Sequence, residues 1–398
     1  MRILQINSVC NGSTGKIACD LAGNLIKQGH ECLIAYGRGK EPKNLPSYKI
    51  GSFISVSFHG LLARFFDKSG FGSYFATKRL IKKIKEYNPD VIHLHNIHGY
   101  YINIKILFEF LKNSNKKVVW TLHDCWSFTG HCCYFDHSNC QKWKTNECRH
   151  CQHKKSYPLS FFSNAHKNYL RKEKLFSLLA SNQLIIATPS QWLKNLVEKS
   201  YLKKYKISVV NNGIDTATFT YTSSLLREKY AINNKKIVLC VASIWDERKG
   251  LKKVIEICKL LPANYQVVVI GLNKKQIKRM PANIIAISRT DNLLELVQWY
   301  STADVFFNPT LEDNYPTVLL EAISCNLSIL TSAVGGCLEI ASMSTQYDVL
   351  CSQKDPIKQI EFLSQSKNKL LPSYDISVES FLKKYMDLYS TLFYEEKK

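Results

Sequence analysis

The chain has 398 residues, of which 45% are hydrophobic and 22% are charged, values typical of a globular protein with two or three domains. This composition excludes a disordered chain, and no apolar run approaches the ~18–20 residues of a membrane span. The formal net charge is +22, of which residues 1–206 carry +20 (32 Lys and Arg against 12 Asp and Glu). Such a field favours phosphate-bearing partners, namely nucleic acid, anionic lipid or a pyrophosphate-linked substrate, with a general solubility charge as the alternative.

The first predicted element is the buried strand "RILQI", which leads through the loop "NSVCNGSTG" into a helix that ends at Gly29. The helix is indicated by apolar residues at helical spacing, Ala18, Leu21, Ala22 and Leu25. Because the strand is short and is followed by a glycine loop, it does not read as a signal peptide, and we expect a cytoplasmic protein.

Gly12 and Gly15 bracket the short sequence between this strand and helix. Glycines let the backbone approach a ligand closely, and a helix N-terminus favours anions, so both are candidate phosphate contacts. Neither the GxxxxGK[ST] nor the GxGxxG spacing is present, and a plain turn is the alternative.

Further apolar runs alternate with helical patterns along the chain, namely "ECLIAYG", "DVIHLH", "VVWTLH", "LIIATPS", "KISVV", "KIVLCVAS", "YQVVVIG", "NIIAIS", "DVFFNP" and "LSILTS". This alternation predicts right-handed βαβ units and parallel sheets. We expect two doubly wound α/β domains, residues 1–205 and 206–377, with "KISVV" opening the second, and an amphipathic C-terminal helix over residues 378–398. Ligands of such sheets bind beyond the carboxyl ends of the strands, which directs attention to loops 11–15, 95–100, 123–131, 243–250, 308–316 and 333–336.

Residues 125–155 form a cysteine-rich insert in the first domain. Cys148 and Cys151 have the spacing of a zinc knuckle, and Cys140 with Cys132 or Cys133 could complete four sulfur ligands. The set Cys132, Cys140, Cys148 and Cys151 is therefore a candidate structural zinc site. Free thiols and disulfides are the alternatives, and the latter fit a secreted protein better.

The segment over residues 61–87 mixes Phe and Leu with six cations, Arg64, Lys78, Arg79, Lys82, Lys83 and Lys85. Basic and aromatic residues together favour an anionic membrane surface as partner. An ordinary amphipathic helix is the alternative interpretation.

Two motifs following predicted strands carry candidate catalytic groups. In "SIWDERKG", Arg248 and Lys249 precede a helix that opens at Gly250, an arrangement suited to binding a diphosphate, although a solvated basic turn has the same sequence. In "TLHDCW", His123 stands at the end of a strand, where it is either a catalytic or a packed histidine.

The stretch "LEDNYPTVLLEA" places Asp313 ahead of a helix that we expect to start near Pro316, with Glu321 inside that helix. A carboxylate turned toward a cleft can accept two hydrogen bonds from a ribose diol. The apolar neighbours of Glu321 argue against an exposed helix face. The backbone N–H groups of Asn314 and Tyr315, at the helix start, could bind sugar hydroxyls or phosphate oxygens.

In this order, the motifs "NGSTG", "TLHD", "TPSQWL", "NNGID", "DERKG", "LEDNYPTVLLEA" and "SAVGGCLEI" resemble the retaining glycosyltransferases of family 4 over nearly the whole chain. The nearest resemblance is to bacterial capsule, O-antigen (lipopolysaccharide) and colanic-acid-type transferases. The resemblance implies the GT-B fold: two Rossmann-like domains facing a cleft, the second binding the nucleotide sugar and the first the acceptor. It also implies a C-terminal helix that crosses back to the first domain.

The resemblance also implies roles for individual residues. Glu321 matches the second acid of the family's E-x7-E motif, which binds ribose. Asp313 stands where the first Glu contacts the donor sugar, with Glu312 as the alternative for that contact. Arg248 and Lys249 match the pair that binds the diphosphate.

Other matches lie nearer the phosphates and the transferred sugar. Gly12 and Gly15 match an N-terminal loop near the phosphates, and Gly335 and Gly336 match a turn near the phosphates and base. His123 matches a histidine beside the transferred sugar. The chain contains no Asp-x-Asp, which agrees with a site that needs no catalytic metal.

The implied reaction is transfer of a sugar from a UDP- or GDP-linked donor to a polyprenyl-diphosphate-linked saccharide, at the inner face of the plasma membrane. The acceptor would attack on the face from which the diphosphate leaves, and we expect no nucleic-acid partner. A zinc-containing nucleic-acid-binding protein is an alternative that leaves Glu321 unexplained. A GT-B nucleotide-sugar epimerase is another, but it requires additional acids at the sugar ring.

Overall fold

The computed structural model describes residues 1–365 and 375–394. The chain divides into two compact units, Met1–Val210 together with Leu382–Lys398, and Asn211–Phe381. Both are α/β units built on a parallel sheet, and the predicted fold class is confirmed. Residues 395–398, included in the predicted C-terminal helix, lie outside the described residues. No helix in the described part of the chain is both long enough and apolar enough to cross a membrane.

The first unit contains a seven-stranded sheet of order β3-β2-β1-β4-β5-β6-β7. Its strands are β1 (Arg2–Val9), β2 (Glu31–Arg38), β3 (Ser47–Lys49), β4 (Val91–Leu94), β5 (Lys117–Thr121), β6 (Leu184–Thr188) and β7 (Lys206–Val209). The helices are α1 (Gly12–Lys27), α2 (Phe53–Phe66), α3 (Tyr74–Tyr87), α4 (Ile104–Ser114), α5 (Ala165–Phe176) and α6 (Gln191–Val197). The central strands are buried on both faces, as their near-continuous apolar sequences predict.

The first sheet extends further along the sequence than predicted. "KISVV" was expected to open the second domain after Tyr205, but β7 pairs in parallel with β6, from Lys206 opposite Ile185 to Val209 opposite Thr188. The first unit therefore continues to Val210. Sequence alone does not show which neighbour a short edge strand pairs with, and this is the physical reason for the misplaced boundary.

Helix α1 also begins earlier than predicted. It starts at Gly12, so Gly12 and Gly15 form its first turn rather than a loop before it. The predicted apolar face, Ala18, Leu21, Ala22 and Leu25, is buried, and Ile17 is buried with it. Placing the glycines in the helix brings its N-terminal N–H groups directly to the carboxyl end of β1.

Residues 61–87 do not form one amphipathic helix. Helix α2 ends at Phe66, before Asp67, which adopts a left-handed conformation with φ of 51°, and α3 begins after Ser73, which has φ of 52°. Two separate helices therefore carry the basic and aromatic residues of this segment.

The second unit contains a six-stranded sheet of order β10-β9-β8-β11-β12-β13. Its strands are β8 (Lys236–Val241), β9 (Tyr265–Ile270), β10 (Ile284–Ile287), β11 (Val305–Asn308), β12 (Ser328–Ser332) and β13 (Tyr347–Leu350), the last not predicted. The helices are α7 (Leu226–Lys229), α8 (Leu251–Leu260), α9 (Lys274–Ile277), α10 (Leu293–Thr302), α11 (Thr317–Ser324), α12 (Cys337–Ala341) and α13 (Pro356–Gln365). The sheet order makes β8, β11 and β12 consecutive neighbours.

The C-terminal helix, α14 (Val378–Tyr394), starts in the second unit, and its residues from Leu382 onward belong to the first. Tyr385 shares a hydrogen bond of 2.7 Å with Thr121, and the Tyr389 hydroxyl lies 2.8 Å from His93 Nδ1. The predicted return of this helix to the first domain is confirmed.

Candidate functional site

Three loops of the second unit meet beyond the carboxyl ends of β8, β11 and β12. The first carries Arg248 and Lys249, the second Asp313 and the third Gly335. Backbone hydrogen bonds join them: the N–H of Leu311 donates to the Arg248 carbonyl at 2.7 Å, and the N–H of Gly336 donates to the Asn314 carbonyl at 2.7 Å. Because neighbouring parallel strands end at one sheet edge, residues far apart in sequence form one site.

Two cations surround the carboxylate of Asp313. Lys249 Nζ lies 2.5 Å from Asp313 Oδ2, and Arg248 Nη1 lies 3.8 Å from Oδ1. Arg248 also donates to the Glu312 carbonyl at 2.7 Å, which fixes its guanidinium. Burial alone would raise the pKa of Asp313, but the charges of Lys249 and Arg248 outweigh it and lower that pKa below its ordinary value. Asp313 is therefore an ionised carboxylate at neutral pH.

Glycine at position 335 is required by the packing of this site. Gly335 has φ of +54°, and a Cβ there would lie 1.6 Å from the Asp313 carbonyl oxygen. Gly250 has φ of +75°, and a Cβ there would lie 2.1 Å from the Pro309 oxygen. Both turns therefore require glycine, because a side chain at either position would collide with the loop that carries Asp313.

Helix α11 positions Glu321 in its second turn, after Pro316 as N-cap. Glu321 is half-buried and accepts a hydrogen bond of 2.8 Å from the Tyr300 hydroxyl, whose ring is fully buried. This contact fixes the direction of the carboxylate and explains why an acid stands in an otherwise apolar helix. Tyr300 was not singled out in the sequence, because a buried tyrosine in a helix resembles ordinary core.

The helix start differs from the prediction in one respect. The backbone N–H of Asn314 donates to Asp313 Oδ1 at 3.0 Å, so it already has a partner, whereas the sequence interpretation left it open for a ligand. The Tyr315 side chain is buried, and its carbonyl accepts from Asn212 at 3.3 Å. A ligand at this position would have to replace the Asp313 contact of Asn314.

In the first unit, Gly15 of α1 packs closely on the chain that leaves β1, whereas a Cβ on Gly12 would meet nothing within 4 Å. A Cβ on Gly15 would lie 2.6 Å from the Cys10 carbonyl carbon, and Gly12 has φ of +71°. Asn7, fully buried on β1, donates to the carbonyls of Val9 and Thr14 at 3.0 and 3.1 Å and so braces this turn. Asn7 was missed in the sequence, although a polar residue inside an apolar strand was the available signal.

His123 follows β5 at the carboxyl edge of the first sheet and is nearly buried. Its Nε2 lies 3.1 Å from Nδ1 of His95, whose Nε2 lies 2.9 Å from Gln5 Oε1. Burial lowers the pKa of His123 to about 4, against the opposing effect of Asp124. The imidazole is therefore neutral at physiological pH. Gln5 was also missed, and again the signal was a polar side chain in a buried strand, whereas His95 begins the predicted ligand loop 95–100 but was not assigned a role.

A second polar group lies beside His123. His98 Nε2 donates to Asp124 Oδ2 at 3.0 Å, and the Tyr157 hydroxyl lies 3.3 Å from His98 Nδ1. Burial would raise the pKa of Asp124, but the adjacent His98 helps to lower it. With Cys133, His98 and Asp124 place three potential ligand atoms within 4.8 Å of one another.

The cysteine-rich insert brings part of the predicted zinc set together. The thiols of Cys132 and Cys151 share a hydrogen bond. Burial raises the pKa of Cys148, and the charges of Cys151 and Cys140 also raise it. Nearby, the buried His131 contacts Asp67 through Nδ1 at 2.6 Å, while its Nε2 has no hydrogen-bond partner among the described residues. Within the described ranges, the four predicted sulfurs are not among the groups whose ligand atoms lie within 4.8 Å of one another. The zinc site stays a prediction.

Relatives of this chain include glycosyltransferases of bacterial polysaccharides. The Escherichia coli (strain K12) protein WcaC, whose name assigns it to colanic acid biosynthesis as a glycosyl transferase, is 26% identical over 359 residues, or 86% of each chain. The Campylobacter jejuni N,N'-diacetylbacillosaminyl-diphospho-undecaprenol alpha-1,3-N-acetylgalactosaminyltransferase is 26% identical over 170 residues, which cover 40% of this chain and 44% of that protein.

Among solved structures, Anabaena HepE in complex with UDP superimposes with a TM-score of 0.68 at 13% identity, over 98% of this chain and 100% of that one. This likeness shows the fold. The family model Glycosyltransferase Family 4 matches residues 14–218, and the model Glycosyl transferases group 1 matches residues 235–365. The two matches follow the two units of the structure and confirm the predicted enzyme class. The chain therefore belongs to glycosyltransferase family 4, with the GT-B fold.

Proposed function

We propose that this glycosyltransferase is a retaining enzyme that moves a hexosyl group from a nucleoside-diphosphate sugar to a lipid-linked saccharide in surface polysaccharide biosynthesis. The observation that carries the proposal is the cluster of Arg248, Lys249 and Asp313 at one sheet edge. The name of WcaC, a relative over most of the chain, supports the polysaccharide role.

The charges of this cluster suit a diphosphate. Arg248 and Lys249 contact the carboxylate of Asp313, Arg248 Nε also lies 3.8 Å from the carboxylate of Asp246, and an incoming diphosphate can pair with both cations. Lys249 would then exchange its contact with Asp313 for one with a phosphate oxygen. Asp313 would be released to accept hydrogen bonds from hydroxyls of the donor sugar, the role that its place in the motif implies.

In the reaction, the acceptor hydroxyl oxygen forms a bond to the anomeric carbon while the bond from that carbon to the β-phosphate oxygen breaks on the same face. The hydroxyl proton passes to the departing phosphate, and the products are the glycoside and a nucleoside diphosphate. Arg248 and Lys249 stabilise the negative charge that develops on the leaving group, so that no catalytic metal is required.

Glu321 is proposed to bind the ribose. One of its carboxylate oxygens accepts from Tyr300, and a carboxylate has about four lone-pair sites, so it can also accept from a ribose hydroxyl. UDP is the first candidate for the nucleotide because HepE was crystallised with UDP, and GDP is the alternative.

The acceptor is proposed to be linked to a polyprenyl diphosphate at the inner face of the plasma membrane. The name of the Campylobacter relative, which includes a diphospho-undecaprenol saccharide, supports this class of acceptor. Helix α2 supports contact with the membrane, since Phe53 and Ile54 are 82% and 78% exposed, and Phe58 and Leu61 on the same helix are also exposed. The nearby cations of α3 would favour anionic lipids.

Calorimetric titration of the purified protein with UDP, GDP and ADP tests the proposal. We expect micromolar binding of one nucleotide, a loss of at least ~tenfold in affinity with Glu321→Ala, and unchanged affinity with Glu256→Ala, an exposed glutamate on α8. Glu321→Gln keeps an acceptor for Tyr300 and controls for folding. Failure of all three nucleotides to bind would contradict the proposal. Retention of nucleic acid at moderate salt would then favour the nucleic-acid-binding alternative.

A further inference from the structure

A chain of buried polar side chains runs through the first unit to His123. Gln5 on β1 and His95 after β4 are fully or nearly fully buried. Gln5 Oε1 lies 2.9 Å from His95 Nε2, and His95 Nδ1 lies 3.1 Å from His123 Nε2. The nitrogen that carries the proton in each of the two histidines can be assigned by starting from Gln5.

Gln5 sets the donor-to-acceptor direction of the hydrogen bonds that link these side chains. Its amide N–H is directed at Cys32 Sγ, 3.6 Å away, which turns its carbonyl oxygen toward His95. A carbonyl oxygen only accepts hydrogen bonds, so His95 must carry its proton on Nε2.

His95 is neutral. Its ring stacks on His93 with a centroid distance of 4.1 Å, and its hydrogen-bonding partners are Gln5 and His123, none of which supplies a negative charge. Burial, with smaller effects of His93 and His123, lowers the pKa of His95 well below its ordinary value. With its proton on Nε2, a neutral His95 can only accept a hydrogen bond at Nδ1.

His123 must therefore donate from Nε2. Burial is the largest effect on its pKa and lowers it, while the opposing effects of Asp124, which raises the pKa, and His98, which lowers it, are smaller, so the ring is neutral. A neutral imidazole with its proton on Nε2 is a hydrogen-bond acceptor at Nδ1.

We propose that Gln5 and His95 are positioning residues that fix His123 in the Nε2–H tautomer, so that His123 meets the donor sugar only as a hydrogen-bond acceptor. The sugar contact rests on the proposed function, whereas the tautomer rests on the hydrogen bonds of Gln5, His95 and His123 and on the burial that keeps His95 neutral. His123 then acts neither as a proton donor nor as a cation for the leaving diphosphate. A ligand group that binds its Nδ1 must be a hydroxyl or another hydrogen-bond donor.

Histidine nitrogen chemical shifts in the full-length protein, labelled with ¹⁵N-histidine, test this assignment. The chain has 11 histidines, and the signals of His123 are identified by their loss in His123→Asn. We expect at neutral pH a protonated Nε2 and an unprotonated Nδ1. A proton on Nδ1, or on both nitrogens, would overturn the proposal.

The variant Gln5→Glu tests the cause. A carboxylate at this position stabilises the cationic form of His95, which then donates from Nδ1, and we expect the proton of His123 to move to Nδ1. Gln5→Met removes the acceptor without adding charge, so we expect a mixture of the two tautomers; this variant serves if the glutamate impairs folding, which thermal melting reports. A His123 tautomer unchanged in either folded variant would refute the roles of Gln5 and His95. UDP affinity, measured on the same samples, reports separately on the proposed function.

Discussion

Lys249 and Asp313 stand 64 positions apart in the sequence, yet the ammonium of one lies 2.5 Å from the carboxylate of the other. They meet because β8 and β11 are neighbours in the sheet and end at the same edge. Both side chains are largely buried, with 16% and 12% of their surfaces exposed. The pair thus places two opposite charges at the position where we expect a charged ligand to bind.

Replacing Lys249 by Met should destabilise the protein because the buried charge of Asp313 would lose its nearest cation and keep Arg248 at 3.8 Å and the backbone N–H of Asn314 at 3.0 Å. We expect a loss of about 2 kcal/mol in the free energy of unfolding. Asp313→Asn in the same chain should recover part of this loss, as a double-mutant cycle in urea would measure. Strictly additive effects of the two substitutions would contradict the pairing.

The pH dependence of stability should report the same carboxylate. The pKa of Asp313 is lowered from its ordinary 3.8 in the folded protein, so the unfolded state binds a proton more readily. Its contribution is complete above pH 3.8 and is lost as the pH falls through the lower folded value. We expect Asp313→Asn to flatten the acid limb of the urea-unfolding profile, and an identical limb in the variant would refute this.

Gly335→Ala should lower the stability of the protein more than Gly29→Ala. Gly29 also has a positive φ, of 82°, but a Cβ there meets nothing within 4 Å, so Gly29→Ala should cost only the backbone strain of about 1 kcal/mol. At Gly335 the added carbon would collide with the Asp313 carbonyl, and we expect a larger loss of stability together with weaker nucleotide binding. Equal melting temperatures for the two variants would contradict this packing argument.

Membrane binding should depend on α2. We expect the protein to co-sediment with phosphatidylglycerol-containing vesicles, and much less with phosphatidylcholine alone, because both apolar contact and positive charge contribute. Phe53→Ser with Ile54→Ser should weaken sedimentation. Phe362→Ser, which changes a residue 69% exposed on α13, is the matched control and should leave it unchanged. Loss of sedimentation in both variants would argue against α2 as the contact.

Metal analysis of protein purified without chelators tests the zinc prediction. We expect about one zinc per chain, lost in Cys148→Ser with Cys151→Ser and kept in Cys351→Ser, which changes an exposed thiol. A Cys140→Ser variant that retains zinc, beside a His131→Ala variant that loses it, would assign the fourth ligand to Nε2 of His131, which has no hydrogen-bond partner in the described part of the chain. Protein free of zinc would leave the insert as reduced thiols.

The alternation of apolar strands and helices was enough to predict two parallel α/β units, because buried strands have continuous apolar sequences. It did not locate their boundary, since the edge strand β7 pairs with β6 by tertiary contact and not by composition. It also missed β13, whose residues are largely half-buried and carry no strong apolar run.

Only part of the candidate site could be predicted from the sequence, for a related reason. Arg248, Lys249, Asp313 and Glu321 could be selected because charged residues after strands are conspicuous, but their partners were not. Tyr300 resembles core, and Gln5 and His95 acquire meaning only when β1 and β4 are known to be neighbours. Hydrogen-bond direction, which determines what His123 can do, depends on that adjacency.

The return of α14 also determines the order in which the chain can fold during synthesis. His93 and Thr121, inside the first sheet, receive their tyrosine partners from residues 385 and 389. A ribosome delivers those residues after the second unit, Asn211–Phe381, so the interior of the first unit stays incomplete until the second unit has been synthesised. A nascent chain stalled before Leu382 would hold the residues of the second unit and a first unit in which His93 and Thr121, 2.7 Å apart, have each other but lack their two tyrosine partners.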